Sequence, residues 1–335
     1  MLVDFPNGTG PQSTGYDLTL IAASARAVAH AHAAVRSFIS TVGGPGGAAA
    51  PDLPEISVAN GRVFYLDGDS TLRSLAADGS TGAATKLPGS ATAHAGFAVR
   101  PDGLRIAVSV LTYEGNAASM NLYVEDIGGG NHHDLYQSSS EYAWPVAWRG
   151  TDLVLAVGPL FSQQGLVLNP YFASSYHVVD SATADRKAAI GGPDYITGCE
   201  VSGLLVPGGT ACYHRTASSG MGGEFWILDW TGARIGTYGT ATGGTASLSP
   251  RQPFVALLQD DKTVVIIGPE VKTSIGLGGV SDSWPCWLDD QHVLVGSVYQ
   301  HQFQTAIVDA SSSNVAAVGA HGFCAAVLGS PGELQ

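Results

Sequence analysis

Basic side chains are scarce in this sequence. Four lysines (Lys86, Lys187, Lys262, Lys272) and eleven arginines stand against 28 acidic residues in 335, a formal net charge of −13. Such a field repels phosphate backbones and excludes nucleic acid as an expected partner. Long apolar runs are missing too: nothing approaches the ~18 residues of a membrane span, and no basic segment with an apolar stretch follows Met1. No signal peptide and no membrane insertion are therefore read. The four cysteines, Cys199, Cys212, Cys286 and Cys324, form no CxxC pair, which removes the usual zinc and thioredoxin-like patterns. Cys199 and Cys212 could meet across a hairpin as a disulfide or stay as buried thiols. GxSxG, HExxH, Walker and EF-hand loops are all absent, so the reading is non-enzymatic, without cofactor or metal.

What is abundant is turn chemistry. Glycine reaches 44 residues and charged residues only 13%, a profile for an all-β protein with many tight turns. Residues 96–137 show the unit: "GFAVRPDGLRIAVSVLT" holds two β-branched runs around Pro-Asp-Gly, and "NLYVEDIGGGNHHDLYQ" adds two more around a glycine turn. Four strands in about forty residues make one propeller blade. The pattern recurs at 56–87, 144–190, 198–238, 245–275 and 284–318. The tail segment 321–330 reads as a further first strand able to complete a blade begun at the other end. Six blades are expected, with seven as the alternative, over residues 55–330.

The stretches "FAVRPDGLRIAVSV" (97–110) and "NLYVEDIGGG" (121–130) resemble the PD40 repeat of TolB-like propellers and, more loosely, WD40 blades. The Gly-His and Trp-Asp pairs of WD40 repeats are missing. The resemblance implies a propeller with a binding role and carries over no catalytic residue.

Asp126, Asp180, Asp229 and Asp309 follow the third strands of their blades, where a carboxylate usually accepts bonds from turn amides. Asp67 and Asp69 in "LDGDST" have part of a calcium-loop spacing, but the twelfth-position ligand is not supplied, so a plain turn is expected. His132 and His133 are adjacent on a strand and cannot chelate one ion together. Trp144, Trp148, Trp284 and Trp287 lie on first strands and read as core or channel packing.

Strand direction sorts the loops. Turns between first and second, and between third and fourth, strands share one face. Second-to-third loops and blade-to-blade connections share the other, and the sizeable insertions fall there: 111–120, 159–175, 216–223 and 299–303. Recognition concentrates in such loops. Candidate binding residues are Tyr113, Glu114, Asn116, Phe161, Gln163, Gln164, Asn169, Tyr171, Phe172, Tyr299, His301 and Phe303, a set of rings and amides suited to a sugar or a protein surface.

Ahead of the propeller, "LTLIAASARAVAHAHAAVRSFISTV" (18–42) reads as an alanine-rich helix. Leu18, Ala25, His32 and Ile39 fall at heptad position a, with Ile21, Val28, Val35 and Val42 at d. This narrow seam predicts a coiled coil of three or four copies, the trimer favoured, with His32 setting register and no metal at His30 or His32. Residues 1–16 read as an extended arm, 17–42 as the oligomerising helix and 43–54 as a Gly/Pro/Ala linker. Arm, stalk and head together resemble bacteriophage minor tail or tail-fibre proteins. That arrangement implies a virion or extracellular homo-oligomer, attached to other virion or envelope proteins through residues 1–42 and binding host surface glycan or protein. The alternatives are a monomeric extracytoplasmic TolB-like scaffold in the bacterial cell envelope and a propeller hydrolase or lyase with a channel site.

Overall fold

Period-two alternation of apolar and polar residues governs the chain from its first residues, and it produces strands throughout. The computed structural model describes all residues except 6–13, 23, 38, 42–48, 52–53, 115–116, 161–171, 174, 193–198, 216–222, 241–245, 252, 260–261, 270–271, 278–284, 298–304 and 328–335, with backbone alone at 39–41, 49–51, 172, 200, 202–204 and 240. The six repeats become six antiparallel sheets, spanning 56–86, 93–138, 141–191, 200–240, 246–276 and 286–317. A seventh sheet has the order Phe323–Cys324, Leu2–Asp4, Gly15–Ile21, Ala27–Ala34. The protein is thus a seven-bladed propeller. Blades one to six follow the chain, and blade seven joins its two ends.

The count of six fails, and seven holds, because Leu2–Asp4, Gly15–Ile21 and Ala27–Ala34 are strands where an arm and a helix are expected. In Gly15–Ile21 the side chains of Tyr16, Leu18 and Leu20 are buried, and in Ala27–Ala34 those of Ala29, Ala31 and Ala33 are, while His30 and His32 face water. A helix would scatter these positions around its circumference; a pleated strand gathers them on one face. The strands are paired through Leu18↔Ala31 and Asp17↔His32, and the turn between them holds Ala25 at φ 62°.

The coiled-coil seam therefore does not form from these residues. Leu18 lies in the core that blade seven shares with Val63, Tyr65 and Leu75 of blade one, with Val28 and Val35 packed against it, and Ile21 and Ala25 pack beside Leu2. His32 lays its Nδ1 2.7 Å from Asp17 Oδ1. The backbone of Ile39–Thr41 pairs antiparallel with Ala49–Pro51, while Val42 and most of the expected linker, residues 43–48 and 52–53, lie outside the described residues.

Blade seven closes the ring on very little strand. The C-terminal piece is paired only through Leu2↔Cys324 and Val3↔Phe323, with Ala325 N–H donating to Met1 O at 3.1 Å. A disulfide between Cys286, on the inner strand of blade six, and Cys324 adds a covalent tie, with Cα atoms 6.2 Å apart. The other disulfide is Cys199–Cys212, inside blade four. All four cysteines are thus paired. At the opposite side of blade seven, Tyr16 Oη donates to Leu66 O. Ala34 N–H donates to Asp67 Oδ1 at 2.9 Å and Ser37 N–H to Asp69 Oδ1 at 2.6 Å. The two carboxylates of the calcium-like turn are spent on the neighbouring blade.

Three blades are also tied by charge. Arg36 donates Nη2 to Glu55 Oε2 at 2.7 Å, and His94 Nε2 lies 3.1 Å from Glu55 Oε1. The side chains of Arg36, Glu55 and His94 are 11, 3 and 0% exposed, and they come from blade seven, the entry to blade one and the inner strand of blade two. Further around, Trp148 Nε1 donates to Ala98 O and Trp287 Nε1 to Ser247 O, both at 2.9 Å. Trp144, Trp148 and Trp287 are packing residues, as their strand positions imply, and Trp284 lies outside the described residues.

The recurring aspartates serve turns. Asp180 Oδ1 accepts from the amides of Ala182 and Thr183, Asp229 Oδ1 from Thr231 and Ala233, and Asp309 Oδ1 from Ser311 and Ser312. Asp126 accepts from the Asn131 side chain. Hydrogen bonds hold the carboxyls of Asp180, Asp229 and Asp309 below the usual range. Among the described residues, no helix is long and apolar enough to cross a membrane.

Substitutions at the disulfides and at the buried ion pair test these ties. Replacing Cys286 and Cys324 with alanine, which opens a loop of sequence separation 38, lowers unfolding free energy in urea by about 4 kcal/mol. The Cys199/Cys212 pair, separated by 13, costs about 3 kcal/mol by the same chain-entropy relation. Glu55→Gln leaves the buried Arg36 without its counter-charge and costs about 3 kcal/mol or more. Adding Arg36→Met to Glu55→Gln recovers most of that loss in the same melts, and a purely additive double variant would contradict the pairing.

Candidate functional site

Blade two carries the longest hairpin of the protein's described strands: Arg105–Glu114 and Ala117–Asp126, ten residues each. Its inner neighbour reaches only as far as Ala93↔Thr112, and its outer neighbour only to Met120↔Ser138. Of the described residues past both neighbours, Glu114 and Ala117 are exposed while Tyr113 and Ala118 stay packed toward blade three, on the face that carries the second-to-third loops and blade connections. The β-branched run "RIAVSVLT" supplies the second strand, and alternation in "ASMNLYVED" sends Met120, Leu122 and Val124 to one side and Ser119, Asn121, Tyr123 and Glu125 to the other.

That second side faces blade one. Deep in the propeller it is apolar: Val108 and Tyr123 pack with Phe64, Leu66, Leu72 and Leu87. Toward the loop face the residues turn polar and the two blades part, leaving a groove of about 640 Å3 lined by Pro88, Val110, Thr112, Ser119, Met120, Asn121, Tyr123, Gln137, Ser138 and Ser139. Cross-strand register sets its floor. Thr112 sits opposite Ser119, Val110 opposite Asn121, and Asn121 opposite Gln137. No charged side chain lines it.

A chain of polar contacts runs from the groove floor along the outer part of the same face. Asn121 Nδ2 donates to Asp134 Oδ1 at 3.1 Å, His132 Nε2 lies 3.3 Å from the same oxygen, and His132 Nδ1 lies 3.1 Å from Glu125 Oε2. The imidazole also stacks on Tyr123, ring centres 4.5 Å apart. Bonding to Glu125, and secondarily to Asp134, raises the His132 pKa above its ordinary value. Burial, with Glu125 and Asp134 adding, pushes the Tyr123 phenol up to about 12. The Asn121 bond holds Asp134 below the usual carboxylate range. Tyr123 thus remains a neutral phenol at neutral pH, and the titrating groups sit beside the groove instead of inside it.

Of the binding residues expected from sequence, Tyr113 and Glu114 lie on this hairpin. Tyr113 leans on the core between blades two and three, and its N–H donates to Thr92 O at 2.9 Å. Glu114 is exposed at the tip. Asn116, Phe161, Gln163, Gln164, Asn169, Tyr171, Tyr299, His301 and Phe303 lie outside the described residues. Phe172 is described as backbone: Phe172–Ala173 pairs with Val201–Ser202 as a fifth strand on blade four, at the edge of the inner strand opposite its second strand. The loop reading did not find Thr112, Ser119, Asn121 or Gln137. The available signal was the polar Ser119 and Asn121 on a side whose deeper position, Tyr123, is buried.

A Ser–His contact does occur in blade three, where Ser175 Oγ lies 3.4 Å from His177 Nε2. The serine is 7% exposed, so a substrate carbonyl has no approach to it. Burial lowers the His177 pKa, and Arg186 adds to that shift.

No protein-family model matches this sequence, and no curated protein matches it. Among solved structures, the chain is similar to one in a crystal structure of the mitotic checkpoint complex, with 14% identity, a TM-score of 0.48, and coverage of 81% of this chain and 82% of that one. It is similar to the β-propeller domain of the trilobed protease of Pyrococcus furiosus, described as having an open velcro topology, at 8% identity, TM-score 0.45 and 92% coverage of each chain. BamB from Moraxella catarrhalis is similar at 12% identity and TM-score 0.44, with 95% of this chain and 92% of that one covered. At these levels the likenesses carry no functional assignment, and the propeller assignment stands on the seven sheets themselves.

Proposed function

We propose that this chain is a monomeric, non-enzymatic recognition module that works outside the reducing cytoplasm, at or beyond the bacterial cell envelope, and binds a surface ligand through its loop-bearing face. The groove beside the projecting hairpin of blade two carries this reading. It is a preformed concavity on a rigid scaffold, within the ~300–1,000 Å3 range of ligand sites. Two supports come from elsewhere in the fold. Pairing of all four cysteines fits an oxidising compartment. Leu2–Asp4, Gly15–Ile21 and Ala27–Ala34, which fall in the arm and stalk read from sequence over residues 1–42, are strands of blade seven, so ring closure takes the place of the seam that suggested a virion fibre and an oligomer.

Three measurements test the reading. Light scattering of the purified chain gives a mass near 34.3 kDa, and a stable trimer would oppose the monomer. Thiol alkylation of protein recovered from its source without reductant leaves the four cysteines unmodified, whereas labelled thiols would place it in a reducing compartment. Fluorescent protein sediments with bacterial cells or isolated envelopes, and Ser119→Trp, which fills the groove, reduces that binding at least tenfold while Asp78→Ala on the opposite face leaves it unchanged. Equal binding by Ser119→Trp and the unaltered protein would remove the groove face from recognition.

A further inference from the structure

We infer that the groove between blades one and two takes a neutral carbohydrate of one to three sugar units. The inference rests on the reading above that this face binds a ligand, and it adds the chemical class. Three properties of the groove point there.

The first is uncommitted hydrogen-bonding capacity of both signs. The side chains of Thr112, Ser119 and Gln137 line the groove and have no hydrogen-bond partner among the described residues. Asn121 commits Nδ2 to Asp134 and its Oδ1 is enclosed, so its amide shapes the floor and the reachable groups are those of Thr112, Ser119 and Gln137. Hydroxyls and a primary amide both donate and accept. Sugar hydroxyls do the same, and each can fill a site that a one-sign ligand would leave unmet. Cross-strand neighbours such as Thr112 and Ser119, or Asn121 and Gln137, are about 5 Å apart, close to the breadth of a six-membered sugar ring.

The second is charge. No lysine or arginine lines the groove. The carboxylate nearest its floor, Asp134, is already engaged by Asn121 and His132. An anionic ligand would meet no counter-charge on a chain of net charge −13, and a cationic one would compete with bonds already made.

The third is the state of the backbone. The strand carrying Asn121 and Tyr123 is paired on both sides, so an extended peptide, which usually gains affinity on sheets by adding a strand, finds a free edge only beyond His133–Ser138 at the outer rim of the blade. Within the groove recognition falls to side chains, with Val110 and Pro88 providing apolar surface for the C–H faces of a ring.

Titration calorimetry and saturation-transfer NMR with the full chain test this directly. The probes are glucose, galactose, mannose and N-acetylglucosamine with their di- and trisaccharides, glucuronic and sialic acids, and a set of neutral hexapeptides. At least one neutral sugar is expected to bind in the millimolar range or tighter, with uronic and sialic acids weaker by tenfold or more. Asn121→Ala and Gln137→Ala each weaken it about tenfold, Ser119→Trp abolishes it, and Asp78→Ala has no effect. Thermal melts of the variants within a few degrees of the parent exclude misfolding as the cause. Absence of binding by every neutral sugar, or sugar binding indifferent to Ser119→Trp, would overturn the carbohydrate assignment. Hexapeptide binding blocked by Ser119→Trp would also overturn it, yet would leave the recognition role of the face standing. Envelope binding that survives Ser119→Trp would instead remove that role.

Discussion

Everything in this molecule depends on leaving no blade face uncovered around the ring. A single blade is a four-stranded sheet that buries one side against each neighbour, so it gains its core only when both neighbours are present. Residues 56–317 supply six blades in sequence, and six of seven sheets still leave two blades with one naked side each. The seventh sheet covers both at once. Its three strands from the beginning of the chain contribute Leu18, Ala29, Ala31 and Ala33 to a core shared with Val63, Tyr65 and Leu75 of blade one, and its inner strand from the end of the chain contributes Cys324 to a core shared with Leu294 and Ile307 of blade six. The Arg36–Glu55–His94 tie and the Cys286–Cys324 bond stand on the two flanks of that sheet and brace it on either side of the seam between Leu2–Val3 and Phe323–Cys324, the one place in the ring where the chain is not continuous.

The rigidity that closure provides is what allows blade two to carry a site. Its hairpin projects because its second and third strands outrun their neighbours by several residues, and a projecting hairpin holds its shape only when its base is fixed on both sides. Below the groove, Tyr123 and Val108 are locked against blade one; on the opposite side of the sheet, Leu111, Met120 and Leu122 are locked against blade three. The polar residues at the top are therefore presented from a stiff support, which limits the ordering cost of binding.

Much of this was legible in the sequence. Each of the six repeats marked out a real sheet, because turn residues such as Asn60-Gly61, with φ of 48° and 67°, punctuate β-branched runs at regular intervals. The tail strand was visible in "HGFCAAVLGS", where Phe323–Cys324 completes blade seven. The beginning of the chain was misread for a physical reason. Alanine has the highest helix propensity, and spacings of three and four apolar residues fit Leu18 to Val35, but "GYDLTLI" and "AVAHAHAA" alternate with period two, and tertiary pairing with Leu2–Asp4 decided between them. The groove residues escaped because they are ordinary strand positions. Only the register, which sequence does not supply, brings Thr112, Ser119, Asn121 and Gln137 to one surface.

The split origin of blade seven also constrains how the protein is made. Translation delivers strands 2–34 first, yet their inner partner, Phe323–Cys324, leaves the ribosome almost three hundred residues later. Throughout that interval the amide and carbonyl groups of Leu2–Val3 have no strand to meet, and the apolar flank of blade six has nothing to cover it. Contacts so distant along the chain form slowly, and half-finished rings exposing such edges pair readily with one another. Closure of this propeller therefore waits until residue 324 has been made, and until then holding the nascent chain apart from its siblings matters as much as folding it.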